Sequence, residues 1–83
     1  MIWRLYILRC GDGTLYTGIT TDVEKRLEVH RNGKGAKYTR GRGPLMLVYQ
    51  EECGTHSDAL KREWVVKALT RQEKEQLIQT YQN

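Results

Sequence analysis

The sequence predicts an α/β protein of the α+β type: a small three-stranded antiparallel sheet flanked by helices, in the order β-β-α-β-α-α. The 83 residues suffice for one hydrophobic core, so residues 1–83 are expected to form a single domain. Apolar residues recur with strand periodicity in three segments, and capping residues precede the helical patterns. Too few residues separate the first two strands for a parallel crossover, so we expect an antiparallel sheet.

The first two strands are predicted to form a hairpin over residues 2–20. Apolar side chains of the first strand alternate onto both faces, with Ile2, Tyr6, Leu8 and Cys10 on one face and Trp3, Leu5 and Ile7 on the other. A strand of this kind is covered on both sides. The GDG sequence at 11–13 predicts the turn, and LYTGIT at 15–20 continues as the second strand.

A helix is predicted from about Asp22 to Asn32. Thr21 and Glu24 have the spacing of a capping box, in which the two side chains accept hydrogen bonds from the free amides of the first turn. Gly33 is placed to end this helix, because glycine is the usual residue just beyond a helix C-terminus.

The remaining sequence predicts one strand followed by two helices. The strand covers LMLVYQ at 45–50. Ser57 is the expected N-cap of the next helix, at 58–69, whose helical spacing predicts a buried stripe formed by Leu60, Trp64 and Ala68. A second capping-box pattern opens the last helix, at Thr70 and Glu73.

The composition indicates a soluble globular protein. Hydrophobic residues make up 39% and charged residues 29% of the chain, a balance unlike that of disordered proteins. No apolar run approaches the length of a membrane span, and Arg4 and Arg9 interrupt the apolar N-terminus, so we expect neither a membrane protein nor a signal peptide. Cys10 and Cys53 are too few for a disulfide scaffold or a four-cysteine zinc site. We therefore expect a cytoplasmic protein.

A basic segment at residues 31–42 predicts nucleic-acid binding. The net charge is +4, and the sequence RNGKGAKYTRGR contains no acidic residue but five cations, namely Arg31, Lys34, Lys37, Arg40 and Arg42. Tyr38 lies among them as an aromatic side chain that can contact a base. Cations interleaved with an aromatic residue suit a polyanion with flat bases. The alternative is a solvated basic loop without a ligand.

Two tyrosines of the hairpin are candidates for a functional site. Tyr6 and Tyr16 lie roughly symmetrically about Gly11, so the hairpin is expected to bring both phenols together on one face of the sheet. Gly18 has no side chain and is expected to leave space beside Tyr16 for a ligand group. The alternative is that both tyrosines simply pack in the sheet.

The first helix carries Arg26 and His30 one turn apart, on the same face. Arginine binds phosphate through two parallel hydrogen bonds, and histidine can transfer a proton near neutral pH. The alternatives are an ion pair of Arg26 with Asp22 and a His30 side chain that bonds to carbonyls at the helix end.

Glu63 is the candidate metal ligand. It lies about 60° around its helix from Leu60, at the edge of the predicted buried face. A carboxylate there requires a partner, and Mg²⁺ or Mn²⁺ would serve. The alternative is a salt bridge with Lys67 or Arg26.

The ordered set of these residues resembles the GIY-YIG nuclease family, most closely its small stand-alone bacterial group UPF0213. Tyr6 stands where the family has its first tyrosine triplet, and YTG at 16–18 stands in the place of YIG. The family's helix arginine, a frequent histidine and the metal-binding glutamate correspond to Arg26, His30 and Glu63. The resemblance covers about residues 2–70.

This resemblance implies a metal-dependent endonuclease that cleaves DNA, duplex or branched, with RNA as a further candidate substrate. Glu63 would hold Mg²⁺ or Mn²⁺, Arg26 would bind a non-bridging phosphate oxygen, and Tyr16 would orient phosphate or water. Tyr6 would act as general base, with its pKa near 10 lowered by positive charge, and His30 would relay the proton. A direct nucleophilic role of Tyr6 is the alternative.

The sequence also departs from the family pattern. The first triplet is RLY, Thr17 replaces the isoleucine of YIG, and no asparagine follows the glutamate at the family's distance, where Gln76 is a possible substitute. Without an attached DNA-targeting domain, we expect selectivity for DNA structure rather than sequence, in repair or processing. Two other hypotheses remain: a binding module of the same fold with a weak active site, and a protein-interaction domain. The oligomeric state cannot be predicted.

Overall fold

A computed structural model describes residues 1–82 and contains the predicted order of elements. The strands and helices are β1 (Trp3–Arg9), β2 (Leu15–Thr20), α1 (Val23–Arg31), a 3₁₀ turn (Lys37–Thr39), β3 (Met46–Gly54), α2 (His56–Lys67) and α3 (Arg71–Gln82). The three strands form one antiparallel sheet in the order β2-β1-β3, so β1 is central and β2 lies at an edge. The predicted fold class is confirmed.

The central strand β1 is covered on both faces, as predicted. Leu5 and Ile7 pack on one side of the sheet, in a cluster that includes Val66 of α2 and Ile78 of α3. The opposite face carries a second cluster, formed by Tyr6, Leu8, Cys10, Val23 and Leu45. Helix α1 therefore lies on the face that holds Tyr6, and helices α2 and α3 cover the other face.

Helix α1 begins at Val23, one residue later than predicted, and its cap is Asp22 rather than Thr21. Asp22 is the N-cap, because its carboxylate accepts a hydrogen bond from the backbone N–H of Lys25 at 3.1 Å. The prediction of Thr21 as the cap was wrong. The side chain of an N-cap accepts a hydrogen bond from the backbone amide two or three residues later, and Asp22 makes this bond with Lys25. Gly33 ends the helix as expected and has a φ of +74°, which glycine adopts without strain.

Strand β3 and helix α2 depart from the predicted bounds. The strand continues to Gly54 rather than residue 50. Thr55 then caps α2, since its hydroxyl accepts from the Asp58 amide at 3.1 Å and the Asp58 carboxylate accepts from the Thr55 amide at 3.3 Å. Ser57, the predicted cap, lies instead in the first turn of the helix. A complete capping box two residues upstream therefore fixes the start of α2.

The predicted buried stripe of α2 was also wrong. Trp64 is 82% exposed, Leu60 is 46% exposed, and Ala68 is exposed as well. Ala59 and Val66 are the buried residues, at 0% exposure each. Small side chains at this face allow the helix to lie close to the sheet, which large residues such as Trp64 would prevent. The capping box that opens α3 is confirmed by bonds of 2.9 and 3.2 Å between Thr70 and Glu73.

Among residues 1–82, the helices are too short and too polar to cross a membrane.

Candidate active site

The two hairpin tyrosines lie on one face of the sheet, as predicted. Tyr6 pairs with Gly18 and Leu8 with Tyr16 across the β1–β2 ladder, and the two phenol rings are 6.3 Å apart between centroids. The space above Gly18, however, is occupied by Tyr6 itself: a Cβ at Gly18 would lie 2.5 Å from the Tyr6 hydroxyl oxygen. The expectation of a vacant space for a ligand was wrong. Glycine is required there because the Tyr6 ring crosses its neighbouring strand.

His30 joins this pair from the last turn of α1. It is 2% exposed, and its Nε2 lies 2.9 Å from the Tyr6 hydroxyl oxygen. Its ring also contacts Tyr16, edge to face, at 5.1 Å between centroids. The side chain therefore does not bond to carbonyls at the helix end, which was the structural alternative. Arg26 and Tyr6 come together with His30 because α1 packs on the face of the sheet that carries Tyr6.

Thr39 completes a buried chain of hydrogen bonds behind His30. Its hydroxyl lies 2.9 Å from His30 Nδ1 and 3.0 Å from the carbonyl oxygen of Ala36, and the residue is 2% exposed. A carbonyl can only accept, so the single hydroxyl proton of Thr39 is donated to Ala36. In this arrangement the threonine oxygen accepts from Nδ1–H, because otherwise two lone pairs would face each other at 2.9 Å. The Ala36 N–H also points at Nδ1, at 3.4 Å, and would need Nδ1 as an acceptor, but this contact is longer than that of Thr39.

This hydrogen count favours the histidine tautomer with the proton on Nδ1. Nε2 is then an acceptor, and the Tyr6 hydroxyl donates its proton to it. Gly35 also contacts the imidazole so closely that a Cβ there would overlap with Nδ1. The loop from Gly35 to Thr39 therefore fixes the position of His30, and its Thr39 hydroxyl favours one tautomer. The sequence contained no signal for Thr39, because its contact depends on how the loop folds back.

Arg26 lies beside the phenol and the imidazole. The ion pairs formed within residues 1–82 do not include Arg26, and the Asp22 carboxylate instead accepts the Lys25 amide. The alternative of an Arg26–Asp22 pair is therefore not observed. A half-buried guanidinium next to a phenol is available to bind an anionic oxygen.

The protonation states of the pair follow from burial. Burial raises the pKa of Tyr6 to about 12, and the nearby guanidinium of Arg26 offsets only part of this effect. Burial also lowers the pKa of His30, and the positive charge of Arg26 lowers it further. The expected lowering of the Tyr6 pKa does not occur in the free protein. At neutral pH the pair consists of a neutral phenol and a neutral imidazole.

Glu63 belongs to α2, which covers the opposite face of the sheet, but it is close enough for its charge to act on Tyr6. Its side chain is 21% exposed and forms a salt bridge with Lys67 at 3.4 Å, the partner that was considered as an alternative. Burial raises the pKa of Tyr6 most, and Tyr16 and the negative charge of Glu63 raise it further, while Arg26 lowers it. Glu63 lies on the buried side of α2, one turn after Ala59.

A divalent ion at Glu63 would have one carboxylate ligand. Within residues 1–82, no group of three or more His, Cys, Asp or Glu side chains is placed to hold a metal ion. Mg²⁺ commonly keeps several waters and binds through one or two carboxylates together with substrate phosphates. A partly exposed carboxylate such as Glu63 fits that mode of binding, provided that Lys67 gives up its salt bridge.

The basic segment is ordered by contacts to the rest of the protein. Arg31 donates to the carbonyl of Leu45 at 3.1 Å, and Arg42 pairs with Asp12 while its guanidinium lies 4.6 Å from the centre of the Tyr38 ring. The other three cations are exposed and form no ion pair within residues 1–82; they are Lys34, Lys37 and Arg40.

Tyr38 links the basic segment to the tyrosine pair. Its ring lies 5.8 Å from that of Tyr16, and the residue is 41% exposed. The structure therefore brings the predicted nucleic-acid-binding residues and the predicted catalytic residues onto adjoining surfaces. Arg31 and Arg42 already have partners within the protein, so the three exposed cations are better placed for a ligand.

The sequence is similar to one domain family over most of its length. Residues 2–76 match the family described as the GIY-YIG catalytic domain. A UPF0213 protein of Yersinia pestis is 56% identical over 77 residues, which cover 93% of this chain and 81% of that protein. A UPF0213 protein of Cronobacter sakazakii is 53% identical over 76 residues, which cover 92% of this chain and 80% of that protein.

Two solution NMR structures have similar folds. The UPF0213 protein of Bacillus halodurans is 50% identical with a TM-score of 0.62, and the match covers 96% of this chain and 85% of that one. A protein from E. faecalis is 42% identical with a TM-score of 0.67, and the match covers 99% of this chain and 88% of that one.

Proposed function

This chain belongs to the GIY-YIG family, a nuclease family, and from that membership we propose that it is a metal-dependent endonuclease that hydrolyses phosphodiester bonds in DNA. The observation that carries the proposal is the hydrogen-bonded pair of Tyr6 and His30, with Arg26 and Glu63 beside it. Together these groups provide an acid–base pair, an anion-binding cation and a carboxylate for a metal ion.

The raised pKa of Tyr6 restricts how this residue can act as a base. Moving its proton to His30 in a separate step is unfavourable, because burial raises the pKa of Tyr6 to about 12 and lowers that of His30. A concerted transfer avoids the free phenolate. Tyr6 takes a proton from the attacking water while its own proton moves to Nε2 of His30, and Thr39 holds the imidazole in place.

The other residues stabilise the phosphate. Arg26 binds a non-bridging oxygen and stabilises the negative charge that increases in the transition state. Tyr16, which contacts both Tyr6 and His30, orients the phosphate or the water. A Mg²⁺ or Mn²⁺ ion held by Glu63 would act as a Lewis acid on the phosphate and the leaving oxygen.

The substrate follows from the surface around the site. The exposed cations of residues 31–42 contact the DNA backbone, which carries no sequence information by itself. The chain therefore acts as a single domain on DNA structure rather than on DNA sequence, in repair or processing within the cytoplasm. RNA with a similar backbone geometry is a further candidate substrate.

The test uses Glu63→Gln, which removes the carboxylate charge and keeps the shape of the side chain. The matched control is Glu28→Gln, since Glu28 is an exposed residue of α1 without an ion pair in the described chain. Labelled linear, flapped and branched DNA is incubated with Mg²⁺, with Mn²⁺ and with EDTA. We expect cleavage by the wild type and the control that disappears in EDTA and in Glu63→Gln.

Equal cleavage by Glu63→Gln would contradict the site assignment. DNA binding without cleavage under every condition would instead favour the binding module with a weak active site. The salt bridge that Lys67 forms with Glu63 and the burial of Tyr6 are the observations that favour this second candidate.

A further inference from the structure

A second surface adjoins the candidate active site. An open groove of about 330 Å³ crosses the edge strand β2 and reaches α2 and α3, and it is lined by Leu15, Tyr16, Thr17, Tyr38, Lys67 and Lys74. Tyr16 belongs to both surfaces, because its ring contacts His30 on the side of the active site. A ligand in the groove would therefore lie next to the phosphate at the reaction centre.

The groove is built for a negatively charged ligand. Two of its six lining residues are lysines and none is acidic. Lys74 is half-buried and forms no ion pair within residues 1–82. Lys67 pairs only with Glu63, which leaves its ammonium at the junction between the groove and the active site. Two cations at a small groove, one from α2 and one from α3, attract a phosphate group.

Two of the residues that line the groove are aromatic. Tyr16 and Tyr38 contact each other at 5.8 Å with an angle of 32° between their planes, and Tyr38 remains 41% exposed. Aromatic walls bind flat groups, and base–aromatic contacts do not depend on the identity of the base. A flat apolar group joined to an anion has the chemistry of a nucleotide. The volume lies at the lower end of that of small-ligand sites, which suits a single nucleotide.

We propose that this groove binds one unpaired nucleotide next to the cleaved phosphate. A paired base is stacked within the duplex and cannot present its face to tyrosine, so the groove selects DNA with a single-stranded extension, a flap or a gap. The inference rests on the proposed function and deepens it: Lys74 becomes a substrate-binding residue that determines which DNA structures are preferred.

The test measures DNA binding in EDTA, where no cleavage occurs. Fluorescence anisotropy gives the Kd of a blunt duplex and of the same duplex with a short single-stranded extension. The wild type is expected to bind the extended duplex at least about fivefold more tightly. Lys74→Gln should lose this preference, and Lys74→Arg, which keeps the charge, should retain it. Lys61→Gln is the control, since Lys61 is an exposed lysine of α2 outside the groove.

Three results would overturn the proposal. Equal binding of both duplexes by the wild type would show that the groove does not select unpaired nucleotides, while leaving the proposed nuclease function intact. Equal losses in Lys74→Gln and Lys61→Gln on both duplexes would reduce Lys74 to a general contribution to charge. A wild type that binds no DNA at low salt would overturn the proposed function and this inference together.

Discussion

Replacement of Thr39 by valine tests the hydrogen-bonded chain on which the proposed acid–base pair depends. Valine has nearly the shape of threonine but no hydroxyl, so the change removes the acceptor of His30 Nδ1–H and leaves the packing in place. Thr39→Ser is the matched control, because serine keeps the hydroxyl and loses only the methyl group. The substitution lies behind the imidazole and is not expected to touch the substrate.

The magnitude follows from burial. Thr39 and His30 are each 2% exposed, so water cannot readily replace the lost partner. A buried donor without a partner costs about 1–3 kcal/mol, which in a domain of this size lowers Tm by roughly 4–8 °C for each kcal/mol. The imidazole can relieve part of this cost by moving its proton to Nε2. It then donates to the Tyr6 oxygen and can no longer accept the Tyr6 proton.

The assay combines stability, spectroscopy and kinetics. The ¹⁵N signals of the His30 ring should indicate protonation on Nδ1 in the wild type and in Thr39→Ser, and on Nε2 in Thr39→Val. With a DNA substrate that the wild type cleaves, kcat of Thr39→Val should fall by about tenfold or more while KM changes little. The reason is that the change affects proton transfer from Tyr6 to His30 and not phosphate binding. A wild-type ring protonated on Nε2, or an unchanged ring in Thr39→Val, would refute the assignment of Thr39 as a positioning residue.

Two further predictions concern stability. The bond from Arg9 lowers the pKa of Glu75 to about 2 from 4.5, so this pair stabilises the protein above pH 4.5, and the stabilisation is lost as the pH falls towards 2. In urea unfolding at a series of pH values, Glu75→Gln should lose this part of the pH dependence of the free energy of unfolding. An unchanged pH dependence in the variant would contradict the assignment. Trp64→Ala should change the free energy of unfolding by no more than about 0.5 kcal/mol, because Trp64 is 82% exposed, whereas Val66→Ala should lower it by at least about 1 kcal/mol. If thermal unfolding shows the larger loss for Trp64→Ala, Trp64 belongs to the buried face of α2, as the sequence predicted.

The parts of the fold that depend on neighbouring residues were predictable from the sequence. The two-sided strand, the hairpin and the capping box of Thr70 and Glu73 are local patterns, and the structure confirms each of them. The orientation of α2 was not predictable in this way. Spacing identifies which residues share a face but not which face meets the sheet, and the close approach of Ala59 decides that question.

The candidate site shows the same division. Sequence spacing placed Tyr6 and Tyr16 together because hairpin register is local. The roles of Thr39 and Lys74 depend on segments distant along the chain that meet only in the folded protein. The raised pKa of Tyr6 was likewise hidden, since its main cause is burial by both the sheet and α1.

The contacts that hold the basic segment have a consequence for the thermodynamics of binding. The Thr39–His30 bond, the bond of 2.6 Å from the Gly11 amide to the Arg42 carbonyl, and the Arg42–Asp12 pair fix this segment before any ligand arrives. Ordering a loop costs about 1–2 kcal/mol for each residue in backbone entropy. In this protein the segment is already ordered when the chain folds, so binding does not add this cost. Association can therefore proceed with a small entropic penalty, and release with little rearrangement, in contrast to basic tails that fold only on their targets.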